Sequence, residues 1–473
     1  MNLYSHVVLG SIKWIKLHFI LQIILYSIYI QLNIIMIIIN QKSKILILLF
    51  ITLTFAILPT YAAVSPGDSN IYGVNKTSTT PAIEVSNAPS KYTITPSTKP
   101  HDASVLRYTT LNKYTKNYYT IITIMKKFEK SGGGTLILKR GTYTITNTIP
   151  IPSNVNLILE DGVIIKKGTH TGTSKFSASS TLFQLVKPSK IKTVRAYSKY
   201  NGVKNVNIIG LGNSIIDLRY LYNDVALVCG HNKNIQIQGI TFKNMYSGHF
   251  IELDATNGMK ISNCKFLNAK DSSGLYKEAI NIDTPDGNTK GFNNIWATND
   301  KTPDYNIVIE NNVFNNLERA IGTHKYSQYT TNGKYVTGHG QIYHTWIIIR
   351  NNYITNIRSD AIRVLNWKDS QITNNYISTI TRNSQNYRGI LASGAINLMI
   401  KNNYFQDMNR PIEIKAYKNT GAGSMYSVTY NSITDINFFD MTYNLCNQVT
   451  ETFARYSNIL HVYTNERLIP LLT

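Results

Sequence analysis

Charged and polar side chains recur at fixed places in a short apolar strand that the chain repeats between residues 234 and 415. Each copy centres on an Ile, as in Phe250–Asp254 and Ala279–Asp283. Alternation turns the first and third residues after that Ile away from it. These outward positions, and the bend two residues before the Ile, carry carboxylates, His, Arg and Lys: Glu252, Asp254, Asn281, Asp283, His324, Arg363, Glu413 and Lys415, with Glu278, Arg319, Asp360 and Arg388 at the bend. Charge of both signs on one face suits the cleavage of sugar chains.

Hydrolysis of a glycosidic bond is the first chemistry that these residue types fit. It needs two carboxyl groups, one acting as acid and one as base or nucleophile. Asp254 and Asp283, on adjacent coils, would lie near the separation of about 5 Å that retaining enzymes use. Glu278 and Asp360, two coils apart, would lie closer to the inverting range of about 6.5–9.5 Å.

Elimination from a uronate is the second chemistry, and epimerisation shares its first steps. A base removes the proton beside the carboxylate of the sugar, while a cation neutralises that carboxylate. His324, Arg363 or Lys415 would take these roles. The carboxylates of Asp254, Asp283 and Glu278 would hold a hard cation, so Ca²⁺ is the candidate cofactor. The residue types leave hydrolysis, elimination and epimerisation open.

Two insertions lengthen the coils that bear Asp283 and His324, at about 284–304 and about 325–344. Long loops in a regular solenoid usually carry function, and flat aromatic rings stack on sugar faces. The insertions and the polar face therefore predict a sugar-binding groove. Its predicted substrate-binding residues are Glu252, Asn281, Trp296, Arg319, Tyr326, His339, Arg388 and Glu413.

Each candidate also has an ordinary structural interpretation. Asp254 and Asp283 would cap the turns that follow them, and His324 would be a turn or surface histidine. Arg363 would form an ion pair with Asp360 that contributes little to stability. The coincidence of these residues on one face beside two insertions favours a functional site.

The elements that position these residues come from a second repeated phrase, in which an Ile is followed by an Asn doublet. From Asn351 to Asn374 is 23 residues and from Asn374 to Asn402 is 28, whereas the two intervals that contain the insertions are 48 and 40. The units are rich in β-branched and aromatic residues with alternating polar positions. Such a period predicts an all-β fold, a single-stranded right-handed parallel β-helix in which turn asparagines stack and share amide hydrogen bonds.

The first 63 residues are mostly apolar. The part from Met36 has the pattern of a signal peptide, with Met36 as the predicted start and a cleavage site near Thr60–Ala62. The alternative is a transmembrane helix at Ile20–Ile39. Residues 64–105 are rich in Ser, Thr, Pro and Asn, which predicts a linker. We expect a secreted or cell-surface protein, attached to a membrane only through an uncleaved N-terminal segment.

Residues 106–473 are predicted to form the β-helix, which begins after a capping helix at about 110–130 that ends at Ser131–Gly134. Three cysteines cannot form a disulfide framework, and Cys264 occupies a place in the Asn row. The formal net charge of +22 favours acidic partners. Because the basic residues are scattered and not clustered in an arm or a helix, the pattern disfavours nucleic acid. An anionic polysaccharide is the predicted partner.

The coil pattern, with the Gly132–Tyr143 entry, resembles the pectin-lyase-like superfamily over roughly residues 105–440. That resemblance implies a secreted polysaccharide lyase, hydrolase, epimerase or phage depolymerase. Polygalacturonases carry Asn-Thr-Asp, Asp-Asp, Gly-His-Gly and Arg-Ile-Lys on successive coils. Here Gly338–Gly340 lies in an insertion, Glu413–Lys415 has Glu in place of Arg, and the preceding coils lack the aspartate motifs. The chain also resembles adhesin-like surface proteins with β-helix repeats.

Two functions follow from these observations. The main prediction is a secreted or cell-surface carbohydrate-active protein, a lyase or hydrolase acting on an anionic polysaccharide. The alternative is a non-catalytic, adhesin-like surface protein that binds cell-wall or host glycans. The missing motifs and the Ser/Thr-rich linker favour the alternative, and the clustered charges favour the enzyme.

Overall fold

The structure, a computed structural model of the chain, describes residues 90–271, 276–286, 292–324, 327, 330–331, 334–335, 342–381, 387–415, 439–457 and 464–470. The predicted signal peptide and most of the predicted linker lie outside these residues. Within the described ranges, no helix has both the length and the apolar character that a membrane crossing requires.

Two sheets run along the molecule. The long sheet contains β1 Lys91–Ile94, β2 Gly134–Leu138, β3 Gly141–Ile145, β5 Val155–Leu159, β6 Val163–Lys167, β8 Lys204–Asp217, β10 Lys233–Met245, β12 Asn257–Ser262, β13 Lys265–Ala269, β15 Tyr305–Glu310, β16 Val313–Leu317, β20 His344–Arg350, β21 Tyr353–Ile357, β23 Trp367–Thr373, β24 Tyr376–Ile380, β26 Ile396–Lys401, β27 Tyr404–Met408, β29 Phe439–Val449 and β31 Thr464–Pro470. The short sheet contains β4 Ile149–Pro150, β7 Thr181–Gln184, β9 Val225–Gly230, β11 Ile251–Asp254, β14 Glu278–Asp283, β17 Arg319–Gly322, β22 Ile362–Leu365, β25 Ile390–Ser393, β28 Ile412–Lys415 and β30 Arg455–Ser457. A separate antiparallel hairpin joins β18 Thr330–Thr331 to β19 Lys334–Tyr335.

Successive coils stack in parallel register. The coil β12–β13–β14 gives two strands to the long sheet and one to the short sheet, and the coil β15–β16–β17 repeats this arrangement. The repeated residues face one another: Ile261 pairs with Ile309, Phe266 with Phe314 and Ile280 with Ile321. Their side chains fill one continuous apolar core. The predicted all-β solenoid of parallel coils is confirmed.

The two members of each Asn doublet have different roles. The first residue (Asn263, Asn311, Asn351, Asn374 or Asn402) turns the chain in the left-handed region with φ between 54° and 57°, a conformation that Asn tolerates better than most residues. The second residue is buried. It replaces the backbone hydrogen bonds that the turn interrupts.

The buried second residues form an amide ladder. Asn375 Nδ2 donates to Asn403 Oδ1 at 3.0 Å and to the carbonyl of Ile349 in the previous coil at 3.0 Å. Its Oδ1 accepts from the backbone N and the Nδ2 of Asn352, both at 3.0 Å. The same pattern links Asn312 to Asn352 and Asn403 to Asn444. At one end, the backbone N of Cys264 donates to Asn312. The predicted stacking of asparagines, with Cys264 in their row, is confirmed.

A single α-helix of the described chain precedes the coils. Helix α1, Lys116–Ser131, ends at Gly132, whose φ of 82° is the left-handed C-cap that Gly favours. It packs against β2, β3 and β4 through an apolar face that includes Phe128. Gly134 is required at the start of β2, because a Cβ there would lie 2.0 Å from the Phe128 ring. The predicted helix exists and begins six residues later than the expected boundary.

One predicted boundary is wrong. The sequence predicts a linker that reaches residue 105, but β1 pairs in parallel with β2, and the side chain of Ile94 is buried. Residues 105–107 form a 3₁₀-helix. This segment is ordered because it extends an existing sheet edge, so its strand depends on pairing and not on its own apolar content. Residues 91–105 therefore belong to the folded region.

We predict that Asn375→Ala destabilises the protein far more than Asn374→Gly. The first change leaves the amide of Asn352 and the Ile349 carbonyl without their buried partner, which costs about 3 kcal/mol. The second change keeps the left-handed turn and is expected to cost less than about 0.5 kcal/mol. Urea unfolding followed by circular dichroism compares them. Equal losses would contradict the separate roles of the doublet.

Candidate functional site

The predicted polar row lies on the outer side of the short sheet, as the alternation indicates, but it is not an open face. Ile251 and Leu253 belong to the apolar core, which leaves Glu252 and Asp254 on the other side. Both side chains are fully buried, and so are those of Glu278 and Asp283, all with 0% exposure. The expectation of a groove lined directly by these carboxylates is therefore not met. We call them, with Asn281, Arg319 and His324, the polar layer.

The first insertion provides part of the cover over the short sheet. Phe292 and Trp296 pack with Val228 of β9 in a second apolar cluster outside the main core. The Trp296 indole donates to Gln184 Oε1 at 3.0 Å, and only 1% of the residue is exposed. A Cβ on Gly230 would lie 2.2 Å from the Phe292 ring. The prediction that Trp296 lines a sugar groove is therefore wrong, because this Trp anchors the insertion to the sheet.

At one end of the polar layer, His249 and Glu252 form a neutral pair. The carbonyl of Glu278 can only accept, so His249 Nδ1, 2.6 Å away, carries the hydrogen. His249 Nε2 lies 3.5 Å from Glu252 Oε2. Burial lowers the pKa of His249 to about 3. Burial, followed by the charge of Asp283, raises the pKa of Glu252 to about 8. At neutral pH the contact therefore joins two uncharged groups and is not an ion pair.

Asn281 links that pair to the next carboxylate. Its Nδ2 donates to Glu252 Oε1 at 3.1 Å and to Asp283 Oδ2 at 3.2 Å. The other oxygen of Asp283 accepts from the backbone N of His324 at 3.1 Å. Asp283 thus binds the segment that follows β17 in the next coil, and its capping of the turn that follows Asp283 itself stays a prediction.

Glu278 is the ionised member of the polar layer. Arg319 Nη1 lies 2.5 Å from Glu278 Oε1, and His324 Nδ1 lies 3.4 Å from Glu278 Oε2. Although burial opposes ionisation, Arg319 and His324 hold the pKa of Glu278 well below its usual range. A protonated carboxyl group and an ionised one, Glu252 and Glu278, therefore occur in the same layer.

Beyond Glu278, side chains of opposite charge follow one another along a chain of contacts, and we call this series the charge row. Arg319 also reaches Asp360 at 3.7 Å. Asp360 lies 2.9 Å from Arg388 Nε, which in turn lies 3.2 Å from Glu413 Oε2. Arg410 then bridges Glu413 and Glu451. Asp360, Arg388 and Glu413 are buried, so these predicted site residues are brought together as mutually neutralising pairs.

The remaining predicted residues fall elsewhere. Arg363 is half-buried and stacks beside Gly322, where a Cβ would lie 2.9 Å from the Arg363 Cβ. Lys415 pairs through its backbone with Ser457, and its side chain lies outside the described part. Tyr326 and His339 also lie outside the described residues. Among the described side chains, no group of three or more His, Cys, Asp or Glu residues is arranged to hold a metal ion. Ca²⁺ stays a prediction from residue types.

Sequence reasoning missed the buried pair of Asp304 and His344. Their side chains approach to 3.3 Å, and Asp304 Oδ1 accepts from the backbone N of Thr256 at 2.7 Å. Burial raises the pKa of Asp304. Asp304 immediately precedes β15, and His344 is the first residue of β20. The register of the two strands places Asp304 and His344 at the same position in successive coils. Their shared position at the end of each insertion is the sequence signal that could have identified this pair.

The stacked parallel coils define the class of protein as a parallel β-helix. No family model matches the chain. It is similar to plasmin and fibronectin-binding protein A of Streptococcus pneumoniae, with 23% identity over 320 residues that cover 64% of this chain and 39% of the relative. The chain thus spans about two fifths of the length of this curated relative.

Two solved structures share the fold. The crystal structure of PfbA, a surface adhesin of Streptococcus pneumoniae, matches with 19% identity and a TM-score of 0.50 over 70% of this chain and 75% of the other. A second structure of the Streptococcus pneumoniae surface protein and adhesin PfbA matches with 17% identity and a TM-score of 0.51 over 78% and 87%. At these identities the likeness establishes the β-helix fold.

We predict that Arg319→Met destabilises the protein by about 3–5 kcal/mol, because it leaves the buried carboxylates of Glu278 and Asp360 without a shared cation. The control is Lys139→Met in the exposed pair with Glu160, which should cost less than about 1 kcal/mol. Guanidinium unfolding measures both. A loss for Arg319→Met no larger than that of the control would show that the charge row does not act as a unit.

We predict a pH dependence from Glu252. Its pKa is raised from 4.5 to about 8, so between these values the folded chain keeps a proton that the unfolded chain releases. The contribution of Glu252 to the free energy of unfolding therefore falls as the pH rises from 4.5 to about 8. Glu252→Gln cannot lose the proton, so its stability relative to the native chain should rise from pH 4.5 to 8.

The control for this prediction is Glu310→Gln. Although burial opposes ionisation, Lys260 and Arg350 lower the pKa of Glu310. The difference in the free energy of unfolding between Glu310→Gln and the native chain should therefore change only below about pH 4.5. Urea midpoints at several pH values measure both variants. Parallel profiles for Glu252→Gln and the native chain would contradict the assignment of a protonated Glu252.

Proposed function

We propose that the chain is an adhesin-like protein of the cell surface, built as a right-handed parallel β-helix of the pectin-lyase-like type with α1 as its N-terminal cap. The similarity to plasmin and fibronectin-binding protein A over 64% of the chain carries this proposal. The same fold occurs in a protein described as a surface adhesin. The comparisons favour this alternative over the enzyme that the clustered charges suggested.

The state of the polar layer supports a binding function. A hydrolase or lyase must present its acid and base to a substrate within hydrogen-bond reach. Here Glu252, Asp254, Glu278 and Asp283 are fully buried, and the contacts of Glu252, Glu278 and Asp283 include hydrogen bonds or ion pairs with other members of the layer. Their arrangement serves the stacking of the coils.

Delivery and charge fit the same proposal. Residues 1–63 are interpreted as a signal peptide that starts at Met36 or as a membrane anchor, and residues 64–89 as a polar spacer before the folded region. The formal net charge of +22 favours acidic partners, among them anionic polysaccharides and acidic proteins of the extracellular matrix. Placement outside the cell brings the β-helix into contact with such partners.

We expect the purified full chain to bind immobilised fibronectin or plasmin saturably, because its relative carries both in its name. The measurement is biolayer interferometry over a salt series, beside an unrelated basic protein of similar charge. Specific binding should persist at salt concentrations that release the control, since purely electrostatic contacts are screened. Antibody labelling of intact cells that express the chain tests its surface location. Binding equal to that of the control at every salt concentration would contradict the proposal.

A carbohydrate-active enzyme is the second candidate, and one observation favours it. Acid–base catalysis uses two carboxyl groups held in opposite protonation states, as Glu252 and Glu278 are. The same preparation should therefore be incubated with anionic polysaccharides, with and without Ca²⁺. The adhesin proposal expects neither unsaturated uronates nor new reducing ends. Turnover that disappears in folded Asp283→Asn or His324→Ala would replace the adhesin with the enzyme.

A further inference from the structure

A row of left-handed residues marks the corner where each coil enters the long sheet, and we call it the corner row. Strand register stacks its members on one another. All have φ between 50° and 76°: Asn154, Asn205, Asn234, Gly258, Asn306, Trp346, Asp369 and Asn397. Seven of these eight positions hold Asn, Asp or Gly, the residues that tolerate this conformation.

The amides of the corner row stabilise it by side-chain hydrogen bonds. Asn205 Nδ2 donates to Asn154 Oδ1 at 2.9 Å, and Asn234 Nδ2 donates to Asn205 Oδ1 at 3.1 Å. On the far side, Asn397 Nδ2 donates to Asp369 Oδ1 at 2.8 Å. The sequence rule for this row is therefore a short polar side chain or Gly.

Trp346 breaks that rule. It has a φ of 58°, which is strained for a bulky side chain, and it cannot continue the amide hydrogen bonds. Its side chain is 40% exposed, whereas the two other tryptophans of the described ranges, Trp296 and Trp367, are buried. An exposed, strained aromatic residue in a row of amides departs from the sequence rule of that row and does not continue its hydrogen bonds. Such outliers indicate function.

The surroundings of Trp346 indicate what it binds. Its ring lies 4.8 Å from the ring of Tyr305 at an angle of 38°, so the two rings pack against each other and form one aromatic pair at the surface. The corner row places Asn306 and Asp369 on either side of Trp346, and the exposed Lys368 precedes Asp369. An apolar ring face bordered by an amide, a carboxylate and an ammonium group matches a sugar, whose apolar face stacks while its hydroxyl groups bind the polar border.

A protein partner fits this surface less well. A stable protein–protein interface buries about 1,200–2,000 Å² with an apolar centre. The immediate neighbours of Trp346 in the corner row are polar, and both described ends of that row are built from amides. A single exposed aromatic side chain with polar borders is the size of one sugar ring.

We propose that Trp346 and Tyr305 form a sugar-binding site that takes a pyranose ring of a host glycan. This inference rests on the proposed adhesin function and names the chemistry of the ligand. The site lies at the corner to which the second insertion returns. It is separate from the polar layer, whose carboxylates are fully buried.

The test compares two Asn substitutions in the full chain. Trp346→Asn supplies the residue type that the corner row prefers, so its Tm should equal or exceed that of the native chain. Tyr443→Asn is the matched control, because Tyr443 is also exposed and has a φ of 60° in another row. The probes are heparin, hyaluronan and fibronectin, the last both intact and enzymatically deglycosylated.

We expect Trp346→Asn to weaken binding to a polysaccharide probe or to the glycans of fibronectin about tenfold or more, and Tyr443→Asn to leave it unchanged. Acrylamide quenching of tryptophan fluorescence adds a direct readout. Trp346→Asn should remove the fluorescence of one tryptophan that acrylamide can reach. In the native chain, bound glycan should protect that same fluorescence from acrylamide. Glycan binding that survives Trp346→Asn overturns the inference. Binding to deglycosylated fibronectin but to no glycan also overturns it and leaves the adhesin proposal standing. If the native chain binds none of the probes, the sugar-site inference and the adhesin proposal both fail.

Discussion

The buried amide ladder is the interaction on which the rest of the structure depends. Each coil must turn between two strands of the long sheet, and the turn interrupts the backbone ladder inside the protein, where an unpaired amide or carbonyl is costly. The side chain of Asn375 supplies both a donor and an acceptor at that break. Since each Asn binds the equivalent Asn of the neighbouring coil, a one-residue slip in register would unpair the whole row. The apolar residues then occupy the core because their register is already fixed.

In the short sheet, charged side chains make the contacts between neighbouring coils that the Asn side chains make in the long sheet. Its buried bend positions alternate in sign over four successive coils, through Glu278, Arg319, Asp360 and Arg388. Where alternation fails, between Glu252 and Asp283, an Asn intervenes and the pKa of Glu252 rises to about 8. Protonation removes one of two like charges that a buried site cannot hold together. The pattern that suggested a catalytic dyad thus follows from packing acidic residues into neighbouring coils.

Much of this was readable from the sequence, and the failures share one cause. The Ile and Asn repeats are local in each coil, so they predict the strands, the register and the neighbours of Glu278 and Asp360. Burial of the polar layer depends on where an insertion returns, and no repeat encodes that path. Trp296 has the composition of a binding residue, and its position against Val228 makes it an anchor. The strand at 91–94 was missed because it exists through pairing with β2.

The same logic indicates where a solenoid of this kind can bind a ligand. A side chain within a row makes contacts to the coil above and the coil below, as Asn352 does with Asn312 and Asn375. Its polar groups are then used by the fold, and a ligand would have to compete with both neighbours. A residue that departs from its row, as Trp346 does among the corner amides, does not continue those amide hydrogen bonds, and in our proposal its exposed surface binds a partner. Because the stacking of coils tolerates one such departure when the rows on other faces hold the register, binding residues can change without changing the fold.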